Sequence, residues 1–186
     1  MSTETPKPSS RWYLREGQES VVIAAPVDAV YDLVAELTRM GDWSPECQAV
    51  EWEGGATGPA VGAQFVGHNQ GGPFGLMKWS RHGHVLTAER GREFAFATEE
   101  GGREGTVWTY RFEAHEGSTL VTESYRVDWI PLWARIVDVP TNRCKELRDA
   151  MRHTLGQLKT AAEHHARTCG SFNERSDVRS DTGSAP

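Results

Sequence analysis

The sequence predicts an α+β fold in which an antiparallel sheet packs one face against a long helix. Six extended segments follow one another in the middle of the chain, and glycine-rich turns such as EGGATGPAVG and EEGGREG separate them. Short links of this kind favour antiparallel pairing, because a parallel crossover needs roughly a dozen or more residues. A short strand and helix precede the six segments, and the longest helical pattern follows them.

The first strand is predicted over SVVIAA, from Ser20 to Ala25. Pro26 then stands where a helix can begin, since the first helical turn tolerates a residue without an N–H. Asp28 falls in that first turn, where the helix dipole favours an acid. The following apolar residues recur at helical spacing and mark one buried face: Val27, Val30, Tyr31, Val34 and Leu37.

The stretch LTRMGDWSPEC, from Leu37 to Cys47, predicts a second, short helix and then a break. The break falls at Ser44-Pro45, because the residue before a proline disfavours helical backbone. A tryptophan in such a polar stretch either caps the core or lines the mouth of a pocket. The sequence leaves both interpretations open for Trp43.

Alternation within the six strands predicts which side chains turn toward the helix, because successive strand residues face opposite sides. The strands are predicted at Ala49–Glu53, Ala63–Asn69, Lys78–Arg90, Arg92–Thr98, Thr106–Ala114 and Thr119–Asp128. The inward set is rich in aromatic residues and poor in polar ones: Phe65, Gly67, Asn69, Trp79, Arg81, Gly83, Val85, Phe94, Phe96, Trp108, Tyr110, Phe112, Val121, Glu123, Tyr125 and Val127.

The long helix is predicted from about Asn142 to His165, after an apolar segment that contains Pro131 and Pro140. Its apolar stripe at helical spacing comprises Leu147, Ala150, Met151, Thr154, Leu155, Leu158, Ala161 and Ala162. The expected organisation is a flexible arm over residues 1–17, one domain over 18–165 and a disordered tail over 166–186.

Composition excludes some classes of function. The formal net charge of −6 argues against a nucleic-acid partner, which requires a basic face. No run approaches the roughly 18 apolar residues of a membrane span, and no signal-peptide pattern opens the sequence. The three cysteines form no CxxC pair, which favours reduced thiols. We expect a cytoplasmic protein with no integral membrane association, acting as a monomer or homodimer.

Familiar catalytic and cofactor motifs are not found. The sequence has no GxSxG, no P-loop and no GxGxxG. His82 and His84 share one face of a strand and could in principle bind a metal. Alternation turns them outward, and the sequence offers no third ligand beside them. We therefore expect neither a metal nor another cofactor.

Four stretches of the chain carry a resemblance to a known family: IAAPVDAVYDLVAELTRMGDWSPEC, VGAQFVGHN followed by KWS, RGREFAFAT, and GSTLVTESYRV followed by LGQLKTAAE. Together they resemble the START-like, birch-pollen-allergen-like (SRPBCC) superfamily, and most closely its bacterial polyketide cyclase/dehydrase and lipid-transport group. The resemblance implies a helix-grip fold, in which a curved seven-stranded antiparallel sheet wraps around the long C-terminal helix and two short helices follow the first strand. Members of this superfamily bind lipids, hormones or polyketides between sheet and helix, and some cyclise aromatic polyketides.

On this fold, alternation and the expected rim positions predict the residues that line a ligand cavity: Trp43, Phe65, Asn69, Trp79, Arg81, Phe94, Phe96, Trp108, Tyr110, Glu123, Tyr125, Trp129, Trp133, Met151 and Leu155. The candidates for catalysis are Tyr110, Arg81 and Glu123. One alternative is that the aromatic residues are plain core and that Glu123 pairs with Arg81. If Glu123 is instead buried without Arg81, burial favours its neutral form and makes it a candidate acid.

Three functions remain open at this point. The first is binding of a hydrophobic or amphipathic small molecule, lipid or polyketide-like, without chemistry. The second is an aromatase/cyclase or dehydratase that acts on a polyketide in the same cavity, and whether the protein is an enzyme is left undecided. The third is a partner-binding module whose cavity is filled by its own side chains. Fold alone does not choose among them.

Overall fold

The computed structural model describes residues 16–71, 75–129, 131 and 143–177, with side chains outside this description at 143–144 and 169–177. The elements in chain order are β1 (Glu16–Ile23), α1 (Val27–Ala35), a 3-10 helix η1 (Leu37–Asp42), β2 (Cys47–Glu53), β3 (Gln64–Gly71), β4 (Met77–Glu89), β5 (Glu93–Glu100), β6 (Arg103–His115), β7 (Ser118–Val127) and α2 (Arg143–Asp177). The predicted order of strand, two short helices, six strands and a long helix is confirmed.

The seven strands form one antiparallel sheet in the order β1-β7-β6-β5-β4-β3-β2. Most neighbours in the sheet are also neighbours in sequence, as expected for strands joined by short turns. Register shifts occur between β2 and β3, between β4 and β5, and between β5 and β6. Bulges of this kind bend strands and increase their twist, which suits a curved sheet. The α+β class and the helix-grip architecture are therefore confirmed.

Among the predicted boundaries, the start of β1 and the end of the long helix are wrong. β1 begins at Glu16 rather than Ser20, because Glu16 to Glu19 pair with Arg126 to Glu123 of β7 although their polar side chains hide the strand pattern. α2 continues past His165 to Asp177, into the segment expected to be disordered. No proline occurs between Asn142 and Pro186, so no strong breaker ends the helix at the predicted position.

The core lies between the sheet and the two α-helices, and we call the sheet face turned toward them the inner face. Val30, Tyr31 and Val34 of α1 are buried against this face. α2 buries the predicted apolar stripe at Met151, Thr154, Leu155, Leu158 and Ala162. No helix in the described part of the chain has the length and apolar character that crossing a membrane requires.

Polar contacts fix α2 along the edge strand β1. Arg152 Nη2 lies 2.9 Å from Glu19 Oε1, and Lys159 Nζ donates to the carbonyl oxygen of Val22 at 2.5 Å. Glu163 Oε1 accepts a hydrogen bond from the backbone N–H of Ala24 at 2.9 Å. The helix is therefore held at several points along one strand, while its apolar stripe faces the core.

Candidate functional site

Aromatic side chains recur on the inner face, and Tyr31 of α1 packs against them. Their rings contact one another with centroid distances between 5.4 and 6.3 Å. The contacting pairs are Trp52–Phe65, Phe65–Phe96, Phe94–Phe96, Tyr31–Phe94, Tyr31–Phe112 and Trp108–Tyr125. Edge-to-face and tilted geometry is what aromatic pairs prefer, so these rings form a packed apolar wall.

One acidic side chain lies within this wall. Glu123 of β7 pairs in register with Tyr110 of β6, and the two are 3% and 2% exposed. The Tyr110 hydroxyl donates a hydrogen bond to Glu123 Oε1 at 2.7 Å. Glu123 Oε2 is buried and has no hydrogen-bond partner among the described residues. A buried polar atom without a partner is rare, and it marks a place where a ligand group or water can bind.

Burial controls the ionisation of this pair. It raises the pKa of Glu123 to about 8, against a smaller opposing effect of the Tyr110 hydrogen bond. The pKa of Tyr110 is also raised well above its ordinary value, first by burial and then by the nearby Glu123 carboxylate. At neutral pH the carboxyl is therefore protonated. A protonated carboxyl can donate one hydrogen bond as well as accept others.

Arg81 lies on the inner face but does not pair with Glu123. Its guanidinium forms an ion pair with the carboxylate of Glu100, and both side chains are partly exposed. The interpretation of Glu123 as half of an Arg81–Glu123 pair is therefore wrong. It failed because β5 was predicted to end at Thr98, whereas the strand continues to Glu100, on the face that also carries Thr98. Tyr110 and Glu123 converge, and Arg81 lies apart from them.

Cys47 of β2 lies near the pair, since its charge is among the influences on the pKa of Tyr110. The thiol contacts the carbonyl oxygen of Ala49 at 3.6 Å. Burial raises its own pKa to about 11, so it is protonated at neutral pH and a poor nucleophile. This position suits an apolar lining residue rather than a catalytic one.

The two tryptophans predicted at the rim occupy different surroundings. Trp43 is only 3% exposed and belongs to the core cluster, with the Arg39 guanidinium 5.2 Å from its ring centroid. Trp129 is half-buried beside the β5–β6 turn, with the Arg103 guanidinium 5.5 Å from its ring centroid. Trp133 lies outside the described residues.

The remaining predicted lining residues are spread over the inner face and α2. Phe65, Phe94, Phe96 and Tyr125 are buried, as are Met151 and Leu155 of α2. Trp79 and Trp108 are half-buried, and so is Asn69, whose Nδ2 donates to the carbonyl oxygen of Gly67 at 3.2 Å. Sequence reasoning missed Glu100 and Trp52. Trp52 pairs in register with the predicted Phe65, and that register could not be read without the β2–β3 pairing.

Two grooves formed by described residues lie away from Tyr110 and Glu123. One, of about 810 Å³, runs between α1 with η1 and the later turns of α2, and includes Trp43. The other, of about 730 Å³, is formed by the loop between β2 and β3. Neither lies on the inner face, so the buried pair and the two grooves are separate features.

The histidines on the opposite sheet face pair with carboxylates. His82 Nδ1 lies 2.7 Å from Glu53 Oε2, and His84 Nε2 lies 3.1 Å from Glu104 Oε1. Among residues 16–71, 75–129, 131 and 145–168, no group of three or more His, Cys, Asp or Glu side chains is placed to hold a metal ion. The outward orientation predicted for His82 and His84 agrees with these contacts.

Comparison with solved structures defines the class of protein. StfQ, a di-domain ARO/CYC from the steffimycin biosynthetic pathway, aligns over 81% of this chain and 51% of its own, with 14% identity and a TM-score of 0.65. This chain thus spans about half the length of StfQ. Protein NE0264 from Nitrosomonas europaea aligns over 81% of this chain and 96% of its own, with 12% identity and a TM-score of 0.61. Protein CV1439 from Chromobacterium violaceum aligns over 80% of this chain and 98% of its own, with 16% identity and a TM-score of 0.59.

At these identities the likeness establishes the fold, and this chain is a helix-grip protein. The sequence profile of the family described as polyketide cyclase/dehydrase and lipid transport matches residues 15–163. The chain therefore belongs to that family. A search of curated proteins found no match.

Proposed function

We propose that this protein binds a hydrophobic or amphipathic small molecule, lipid or polyketide-like, between the inner face of the sheet and α2. The description of the family joins polyketide cyclases, dehydrases and lipid transport, and this supports a lipid or polyketide-like ligand. We further propose that it acts in the cytoplasm, as a monomer or homodimer and without a cofactor. Its domain corresponds to residues 18–165.

The observation that carries the proposal is that Glu123 Oε2 is buried within an aromatic wall and has no hydrogen-bond partner among the described residues. In a core that serves stability alone, a buried carboxyl oxygen without a hydrogen bond lowers the free energy of unfolding. The cost of removing that oxygen from water is not offset by a new hydrogen bond. Small-molecule sites have this composition, with apolar walls and a few placed polar groups that orient the ligand. Aromatic packing supplies the walls here, and Tyr110 with Glu123 supplies the polar group.

The second candidate is an aromatase/cyclase or dehydratase, and the protonated state of Glu123 favours it. An acid with a pKa of about 8 can deliver a proton at neutral pH to a ligand carbonyl or a leaving hydroxyl. StfQ is described as an ARO/CYC. If this protein is an enzyme, Glu123→Gln lowers turnover of a synthetic poly-β-ketone by roughly 10²–10⁴-fold while leaving its binding intact. If the protein is a carrier, the wild type binds the poly-β-ketone and releases it chemically unchanged.

Native mass spectrometry of freshly purified protein tests the binding function. We expect one stoichiometric hydrophobic species, which solvent extraction and chromatography then identify. Tyr110→Phe should reduce its occupancy, because this variant removes the hydroxyl that orients Glu123. Tyr31→Phe is the matched control, since it removes the hydroxyl of another buried tyrosine, on α1.

A clean apo mass, together with failure to take up both a fluorescent fatty acid and a fluorescent polyphenol, would contradict the proposal. It would favour the interpretation in which the inner face is filled by its own side chains. Equal occupancy in Tyr110→Phe and Tyr31→Phe would place the ligand elsewhere on the molecule, and the α1–α2 groove would be the next site to examine.

A further inference from the structure

We infer that Glu123 determines which ligands this site accepts: its Oε2 hydrogen-bonds a neutral ketone or phenol oxygen, and ligands with a carboxylate head group are excluded. The inference rests on the proposed binding function and names the ligand class. Three observations support it: the carboxyl group is buried, its Oε1 already accepts a hydrogen bond from Tyr110, and the charged groups on neighbouring elements pair with one another.

The geometry leaves one oxygen for a ligand. Tyr110 donates its only hydroxyl proton to Oε1, and this contact fixes the orientation of the carboxyl plane. Oε2 is buried with no partner among the described residues. A ligand oxygen that reaches Oε2 therefore meets a carboxyl group whose orientation the Tyr110 contact already sets.

The charges on neighbouring elements are already paired with one another. On β1, Glu19 stands opposite Glu123 in register, and Arg152 of α2 binds its carboxylate at 2.9 Å. On β4 and β5, Arg81 pairs with Glu100. On β2, the Cys47 thiol is protonated at neutral pH. No ion pair joins Glu123 to a cation within the described part of the chain, and no cation is among the influences on its pKa.

With no cation paired to Glu123 among the described residues, the site discriminates against anions. Burying a ligand carboxylate there costs its hydration, and the nearest polar group is itself an acid. A ketone or phenol brings no charge, and its oxygen can accept a hydrogen bond from the neutral Glu123 carboxyl. The arrangement therefore rejects free fatty acids and accepts neutral oxygenated aromatics, of which a cyclising polyketide chain is one example.

Two fluorescent probes with the same dimethylaminonaphthalene core test this directly: prodan, which carries a neutral ketone, and 6-(dimethylamino)-2-naphthoate, which carries a carboxylate. At about pH 7 we expect the carboxylate to bind the wild-type protein at least roughly a hundredfold more weakly than prodan. Prodan binding should weaken as the pH rises through about 8, where Glu123 ionises.

Variants test whether Glu123 is responsible for the preference for the neutral probe over the carboxylate. Glu123→Gln keeps an acceptor for Tyr110 and a donor for the ligand, so it should bind prodan within about twofold of wild type and lose the pH dependence. The double variant Tyr110→Phe/Glu123→Leu removes both polar groups together, which avoids leaving one of them unpaired. It should bind prodan about tenfold more weakly than wild type, with circular dichroism confirming that it is folded. Glu113→Gln on the exposed side of β6 is the control.

Equal binding of the two probes, or prodan binding unaffected by the double variant, would overturn the inference and leave the binding function standing. If neither probe binds and no hydrophobic ligand is retained during purification, the binding function fails, and the inference fails with it. Weaker prodan binding in Glu113→Gln would also count against Glu123, since that side chain lies on the opposite face.

Discussion

Glu123 is unusual because a buried carboxyl group normally has a cation or several hydrogen-bond donors. Within the described part of the chain it has one donor, the Tyr110 hydroxyl, and burial has the larger effect on its pKa. The group remains neutral at the pH of most cells. A neutral carboxyl is a directional hydrogen-bond donor, which is why we propose that Glu123 recognises a ligand.

The raised pKa predicts how stability depends on pH. The ordinary value of 4.5 applies to the unfolded chain, and the folded value is about 8. Between these values the folded protein holds a proton that the unfolded chain has released. The free energy of unfolding therefore falls as the pH rises, by up to about 1.4 kcal/mol per pH unit in this window.

Glu123→Gln should remove this slope, because glutamine does not titrate. Urea unfolding at intervals from about pH 5 to about pH 9 measures it, with the slope of Glu123→Gln subtracted from that of the wild type. Glu113→Gln, on the exposed face of β6, should retain the full slope. Identical slopes in the wild type and in Glu123→Gln would mean that Glu123 titrates normally.

Alternation placed Glu123 and Tyr110 inside because both lie in strands whose register has no shift between β6 and β7. The same reasoning could not find the partner of Arg81, because that depends on how far β5 extends beyond Thr98. Nor could it decide between rim and core for Trp43. That residue follows a 3-10 helix, and sequence spacing gives no direction for the side chain there.

Among the elements, β4 shows how close backbone approach shapes the inner face. An added Cβ at Gly83 would lie 2.4 Å from the carbonyl oxygen of Ala97 and 2.6 Å from Phe65 Cζ. Glycine inside a strand often marks such an approach. Here it lets the Phe65 ring lie over the strand and reach Phe96, with 5.6 Å between the ring centroids.

Gly83→Ala should therefore lower the free energy of unfolding by about 1–3 kcal/mol, because Phe65 or the β5 backbone must shift. Gly58→Ala is the matched control, since an added Cβ there meets nothing within 4 Å. Thermal and urea unfolding of both variants measure the difference. A Gly83→Ala protein as stable as Gly58→Ala would show that the strands are less tightly apposed than described.

The helices and strands could largely be predicted, because each has its own hydrophobic periodicity and is bounded by glycine-rich turns or proline. The ends were less predictable. The polar residues at the start of β1 form a strand through pairing with β7, which is a tertiary effect. The extension of α2 to Asp177 depends on the absence of a breaker rather than on a positive signal.

At the scale of the whole molecule, the sheet order brings β7 beside β1, the strand to which α2 is attached, and places β6 next to β7. This arrangement places the Tyr110–Glu123 pair on the face that α2 covers. Four sequence stretches predicted this architecture through their resemblance to a family, and the fold comparison confirms it. The ligand could not be predicted in the same way, because it depends on single side chains within a widely shared fold.

We propose that Glu123 is a neutral acid that contacts a ligand, and the ¹³C chemical shift of its carboxyl group reports on both properties. We would follow that signal against pH in protein labelled at glutamate, assigned with Glu123→Gln, without and with prodan. We expect a titration midpoint near pH 8 without prodan and a higher midpoint with it, because a ligand that binds the neutral form stabilises the bound proton. A midpoint in the ordinary range of glutamate, unchanged by prodan, would contradict it.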